Sequence, residues 1–406
     1  MKRYDIIDGF RGYFLVFMLV NHLPFTGSSW VVHVNHGELG FMEDVQGFIF
    51  ISGLVVGLTH ARGYLSGKAT ATDSRILARA RLLYIYSLAL LALLFGAAML
   101  FPDAEAYWHA AFPAFFQDRS MASITSLLLL YQPNYLDILP QYIFYLLLSP
   151  WLIRLVLDGK HMQVMAASIM AWFAVQLGLH LPLIAGIETA GQVLDPHFAL
   201  LSGFNPLAWQ ILFIAGLIIG IRLNQGSLDL DQIFGPARRQ LFKLALGICL
   251  FFMVYRLGIK YHFLPEMLVT RLQPYINRNE FGPVYLLNFA AAGYVVTWLL
   301  IAGKSEHALP IRAAHRLLQA IFNLRFLRFL GQHSLQVYSY HVGLIYLVMA
   351  LDHIYGPFTE GSKTMITLTG VASLIIPAWL HANRHVLLAP LPVPKRATSR
   401  ISTTRN

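Results

Sequence analysis

About ten apolar stretches, each near the twenty residues needed to cross a bilayer, recur along this 406-residue chain. They fall near 10–25, 44–61, 79–100, 137–157, 163–180, 206–222, 241–258, 284–302, 332–351 and 364–386. In hydrocarbon each backbone polar group must be satisfied within its own segment. The expected fold class is therefore all-α and polytopic, with about ten transmembrane helices. Charged residues make up only 12% of the chain, against about 25% in a typical soluble domain. One transmembrane domain is expected over 1–390, followed by a basic tail over 391–406 that lacks any packing pattern and reads as disordered.

The net charge of +10 resembles that of a nucleic-acid binder. In a membrane chain, however, Lys and Arg first set topology, and no nucleic-acid partner is expected. Placing the N-terminus inside puts Arg62, Lys68, Arg154, Lys160, Arg238, Arg239 and Arg325 on the same side. The resulting bias over the opposite loops is roughly fourfold, so both termini are expected to be cytoplasmic. MKRYD resembles a charged leader. The segment after it carries polar residues and ends at HLPF without a small-residue cleavage site, so it is expected to be retained. A single cysteine, Cys249, excludes an intramolecular disulfide.

The first apolar stretch is not purely apolar. DGFRGYFLVFMLVNH carries Asp8, Arg11, Asn21 and His22. Eleven residues separate Arg11 from His22, which returns to within about 20° of one helix face and places them about 16 Å apart along it. Asp8, one turn before Arg11, can pair with it, and also reads as an acid favoured at a helix N-terminus. Ionisable groups at membrane depth normally face the bundle interior or a wet cavity. A neutral imidazole there can take a proton from a hydroxyl, or simply bond a neighbouring helix. A fixed guanidinium suits a phosphate or a carboxylate, and equally suits snorkelling to the interface.

Other polar residues extend the set. Glu43 and Asp44 open the second span level with His22, either as partners of the imidazole or as helix caps. His341 lies in the ninth span at a depth near that of His22, beside Ser339 and Tyr338; a lining role and a satisfied core histidine both fit. Arg75 and Arg79 share a face ahead of the third span and form a phosphate-sized patch, which topology alone would also place there. Ser52-Gly53 reads as close helix packing rather than as a nucleophile. The longer outer loops, 101–136, 181–205 and 259–283, mix aromatic and polar residues as carbohydrate platforms and interfacial anchors both do.

Arg-x10-His in the first helix resembles the acyltransferase type 3 superfamily. The segments GELGFMEDVQGFIFISGLVVGL, FNPLAWQILFIAG and FLRFLGQHSLQVYSYH further resemble the OpgC family, membrane acyltransferases that succinylate osmoregulated periplasmic glucans. The resemblance implies acyl-CoA as co-substrate (succinyl-CoA if the OpgC likeness holds) with no bound cofactor, a periplasmic glucan or other saccharide as acceptor, and a bacterial inner-membrane location. It implies His22 as general base, with Arg11 and the Arg75/Arg79 patch near the donor's phosphates. Asn205, Trp209 and Gln210 resemble family positions near the outer mouth, where acceptor contact and interfacial anchoring are both open. Relatives often carry an acid where Gln46 stands, which leaves open the acid that partners His22. A transporter or flippase of an anionic solute or lipid also needs buried Arg and His. A haem protein with His22 and His341 as axial ligands is a further alternative.

Overall fold

The computed structural model describes residues 5–198, 200 and 203–387, and the basic tail at 391–406 lies outside them. Every regular element among the described residues is helical. The long helices are α1 (Asp5–His22), α2 (Asp44–Leu65), α3 (Ala69–Leu100) and α4 (Ile138–Leu157). They continue with α5 (His161–Gln176), α6 (Leu181–Leu194), α7 (Pro206–Asn224), α8 (Arg239–Lys260) and α9 (Pro283–Ile301). The C-terminal part holds α10 (Leu309–Phe322), α11 (Arg325–Gln332), α12 (Ser334–Tyr355), α13 (Glu360–Ser373) and α14 (Ile375–Ala382).

Among the described residues eight helical segments are long and apolar enough to cross a membrane, and nine if the α5–α6 pair counts as one span. Asp5, Asp8 and Arg11 keep α1 out of that count on composition, although it sits at the centre of the packing. The expected span at 163–180 is broken: α5 and α6 meet at 69°. Gly178, at φ +72°, ends α5, donating to the Val175 carbonyl while Leu179 donates to Ala174. That pair of bonds is a Schellman stop, which needs the left-handed conformation glycine adopts freely. The connection at 303–331 forms α10 and α11 instead of an idle loop, and both pack against α1.

Small residues bring backbones into contact at the two tightest junctions. On α2 and α7, a Cβ at Gly53 would collide with the Phe213 carbonyl oxygen, and one at Gly216 with that of Phe50. Between α1 and α11, Gly12 and Gly331 do the same against Leu327 and Asp8. Without a hydrophobic drive between helices in lipid, such close approach supplies dispersion contact. Ser52 donates to the Phe48 carbonyl at 2.7 Å, within its own helix. These junctions hold the C-terminal end of α1 beside the N-terminal end of α2, where the polar groups gather.

Candidate active site

A cavity of about 660 Å³ opens at the C-terminal end of α1. Its walls come from Asn21 and His22, the 35–45 segment, the turn 134–138, Gly203-Phe204, Arg256, Arg278-Asn279, Tyr285, and Tyr338 with His341. It therefore joins Asn21, His22, Glu43, Asp44 and His341, which the sequence places far apart. A separate groove of about 420 Å³ between α4, α5 and α7 is almost entirely apolar and has no histidine or carboxylate in its lining.

His22 and His341 stand with ring centroids 6.5 Å apart and planes 22° from parallel. His341 is almost fully buried, and its Nδ1 donates to the Tyr338 carbonyl at 2.5 Å. Because a carbonyl only accepts, the proton of neutral His341 sits on Nδ1, and Nε2 carries the lone pair. His22 Nδ1 is enclosed with no hydrogen-bond partner among the described residues. The ring of Tyr135 lies 4.8 Å from that of His22. Tyr135 occupies the left-handed region at φ +70°, uncommon for a bulky residue. Two tyrosines of α12 fix this turn: Tyr338 donates to the Tyr135 carbonyl at 2.5 Å and Tyr346 to the Asn134 carbonyl at 2.9 Å.

Neither expected acid hydrogen-bonds His22. Asp44 accepts from Asn21 Nδ2 at 2.7 Å, and Asn35 Nδ2 donates to Asn21 Oδ1 at 2.7 Å. The other Asp44 oxygen faces His36 Nε2 at 3.6 Å, while His36 Nδ1 meets the Tyr13 hydroxyl at 3.1 Å. Burial holds the His36 imidazole down at about 4. Glu43 caps α2 in a reciprocal capping box with Gln46, so the residue at Gln46 serves the helix start. Glu43 also accepts from Arg278 Nε at 2.6 and 2.7 Å. Burial works against the Arg278 cation, but the charge and hydrogen bond of Glu43 hold it above its ordinary range.

The remaining candidates lie outside the cavity lining. Arg11 donates to Ser334 Oγ at 2.5 Å and stands 5.9 Å from the Phe48 ring. Asp8 is buried one turn away. Arg11 and His22 both meet α12, at Ser334 and His341, so they share one side of α1. Arg75 is exposed and Arg79 half-buried on α3. Ser339 donates back to the Leu335 carbonyl at 2.9 Å.

Asn205, Trp209 and Gln210 stand behind the wall, where they brace it. Asn205 caps α7 through Leu207 N at 3.0 Å, and its backbone donates to the Asn279 carbonyl at 2.8 Å. The same carbonyl accepts from the fully buried Trp209 Nε1 at 3.1 Å. Gln210 exchanges two bonds with Ser168, at 2.7 and 2.8 Å. Trp172 and Gln176 hold the carbonyls of Phe281 and Glu280 at 2.8 and 2.7 Å. The loop carrying Arg278 is thus fixed from below by α5 and α7.

Sequence reasoning assigned no site role to Arg278, Arg256, Asp137 or Tyr135. Arg278 and Arg256 read as charges of the outer side, and Asp137 as the start of a span. The one available signal was the density of aromatic and polar residues in 259–283. Among the described residues no group of three or more His, Cys, Asp or Glu side chains is placed to hold a metal ion.

Fold and site define a multi-pass helical membrane protein with a polar, two-histidine cavity at one end of its bundle. The chain belongs to the OpgC protein family, whose model matches residues 3–386. No curated protein and no solved structure matches it.

Proposed function

We propose that this protein is a bacterial inner-membrane O-acyltransferase that moves a succinyl group from cytoplasmic succinyl-CoA to hydroxyls of a periplasmic glucan. Family membership implies this substrate pair. The observation that carries the chemistry is the pairing of His22 and His341 in one polar cavity of about 660 Å³. The catalytic domain spans 1–390, and the tail after it remains with the N-terminus on the cytoplasmic side, as the Lys and Arg distribution favours. The cavity then opens towards the periplasm.

In this reading the CoA phosphates lie at the cytoplasmic end, near Arg11, Arg75 and Arg79, with Asp8 orienting Arg11. The pantetheine arm follows the stripe from Arg11 to His22, about 16 Å along α1. The acceptor hydroxyl enters from the opposite side. His22 Nδ1 is enclosed, so Nε2 is the nitrogen the hydroxyl reaches. It takes the hydroxyl proton as the oxygen attacks the thioester carbonyl. The tetrahedral intermediate collapses with cleavage of the C–S bond, the proton passes to the departing thiolate, and an O-acyl ester and free CoA result. Glu43 and Asp44 support the outer end of α2 and its contacts rather than bonding His22, and Asn21 links Asp44 to the loop at Asn35.

The test is single-turnover transfer of labelled succinyl from succinyl-CoA to a glucan fraction in proteoliposomes. His22→Ala is expected to lose at least about a hundredfold, the scale of a missing general base. If the wild type forms no ester yet moves an anionic solute without CoA, the transporter reading replaces this one.

A further inference from the structure

We infer that Arg278 recognises the free carboxylate of a dicarboxylic acyl group, and so selects the donor; this rests on the acyl-transfer reading above. The argument begins with reach. In a four-carbon diacid the carboxylate carbon is three C–C bonds from the reacting carbonyl carbon, at most about 4 Å away. A thioester held at His22 therefore cannot place that carboxylate on Arg11, about 16 Å back along the helix. Arg11 is also engaged by Ser334. The cation serving the acyl group must lie in the cavity itself, which is only about 11 Å across if taken as a sphere.

Arg278 lines that cavity and acts electrostatically on His22. Glu43 occupies its Nε, whereas its two Nη groups make no hydrogen bond among the described residues. An Nη edge of a guanidinium matches the two oxygens of a carboxylate. The group lies over the Phe204 ring, its Cζ 4.9 Å from the ring centre, on the loop braced by Trp209, Trp172 and Gln176. Arg256, which makes no ion pair among the described residues, adds a second positive charge to the lining, so an incoming anion meets two cations among the carboxylates Glu38, Glu43, Asp44 and Asp137. Of these, Glu38 is paired with Lys260. A neutral acyl chain of equal length would leave the Nη edge of Arg278 unmatched.

The experiment compares kcat/KM for succinyl-CoA and butyryl-CoA, the neutral four-carbon donor, in full-length protein in proteoliposomes. Wild type is expected to prefer succinyl-CoA, and Arg278→Gln to cut the succinyl-to-butyryl ratio by about ten- to hundredfold. Arg278→Lys, which keeps the charge but loses the fork, should fall between them, and serves if the Gln variant does not fold. The ratio is independent of how much protein is active. Equal losses with both donors would overturn the assignment and make Arg278 an oxyanion or structural group. A wild type that transfers from both donors without preference would overturn it while leaving acyl transfer intact. A wild type that transfers from neither removes the acyl-transfer reading and this site together.

Discussion

His22 and His341 face one another across 6.5 Å, nearly parallel, and among the described residues only His341 has an orienting hydrogen bond, to Tyr338. The two imidazoles therefore have different duties. In the proposed reaction His22 ends the polar stripe along which the donor arrives and takes the proton. His341, with its lone pair on Nε2, can accept from a neighbouring hydroxyl of the same acceptor and hold it in place. His22→Ala is expected to cost at least about a hundredfold in single-turnover rate, and His341→Ala about tenfold. Because both act in one step on one acceptor, the double variant should lose little more than His22→Ala alone. Losses that multiply would mean the two histidines act at separate steps.

Asp44 distinguishes a catalytic acid from a structural one. Its contacts run to Asn21 and His36, away from His22. Asp44→Asn keeps an oxygen for Asn21 and should lower transfer by less than about tenfold. Asp44→Ala leaves Asn21 Nδ2 without its acceptor in a half-buried place and should destabilise by about 1–3 kcal/mol. Thermal unfolding in detergent, alongside the transfer assay, checks both. A hundredfold loss in Asp44→Asn with unchanged melting would make the carboxylate a partner of catalysis after all.

The stripe from Arg11 to His22 was legible because a charge within an apolar run is conspicuous and helical geometry fixes its face. His341 was legible for the same reason. Arg278 and Arg256 were not, since a positive charge in a loop or near a helix end looks the same whether it lines a cavity or faces water. Asn205 and Trp209 read as residues near the outer mouth, but their shared bond to the Asn279 carbonyl was not legible, because it joins segments about seventy residues apart. The break after α5 was written in Gly178 and Pro182, but an apolar run on both sides concealed it.

His36 gives the fold a pH dependence of definite sign. Burial depresses its folded value to about 4 from the ordinary 6.5. Above pH 6.5 the ring is neutral in both states and nothing is lost. As pH falls from 6.5 towards 4, the unfolded chain gains a proton that the folded one resists, so stability declines, by up to about 3 kcal/mol at the lower end. His36→Gln, which cannot titrate, should flatten this part of the profile. Melting temperatures in detergent from pH 7.5 down to 4 test it, and identical slopes for the two proteins would refute it.

The junction of α2 and α7 yields the sharpest stability contrast. Gly53 and Gly216 each face a carbonyl oxygen of the opposite helix, and neither backbone can retreat without opening the contact along its length. Gly53→Ala is expected to cost more than about 3 kcal/mol, at the upper end of the overpacking range. Gly293, on α9, has no atom within 4 Å of the position a Cβ would take. Gly293→Ala should be neutral or slightly stabilising, since Ala is the better helix former. Both exchange glycine for alanine within a helix, so propensity alone predicts the same small gain for each. A large loss confined to Gly53, read from detergent unfolding and membrane yield, would show that backbone contact holds α2 in place. Since Glu43 and Asp44 sit at the head of α2, the same substitution should also weaken transfer.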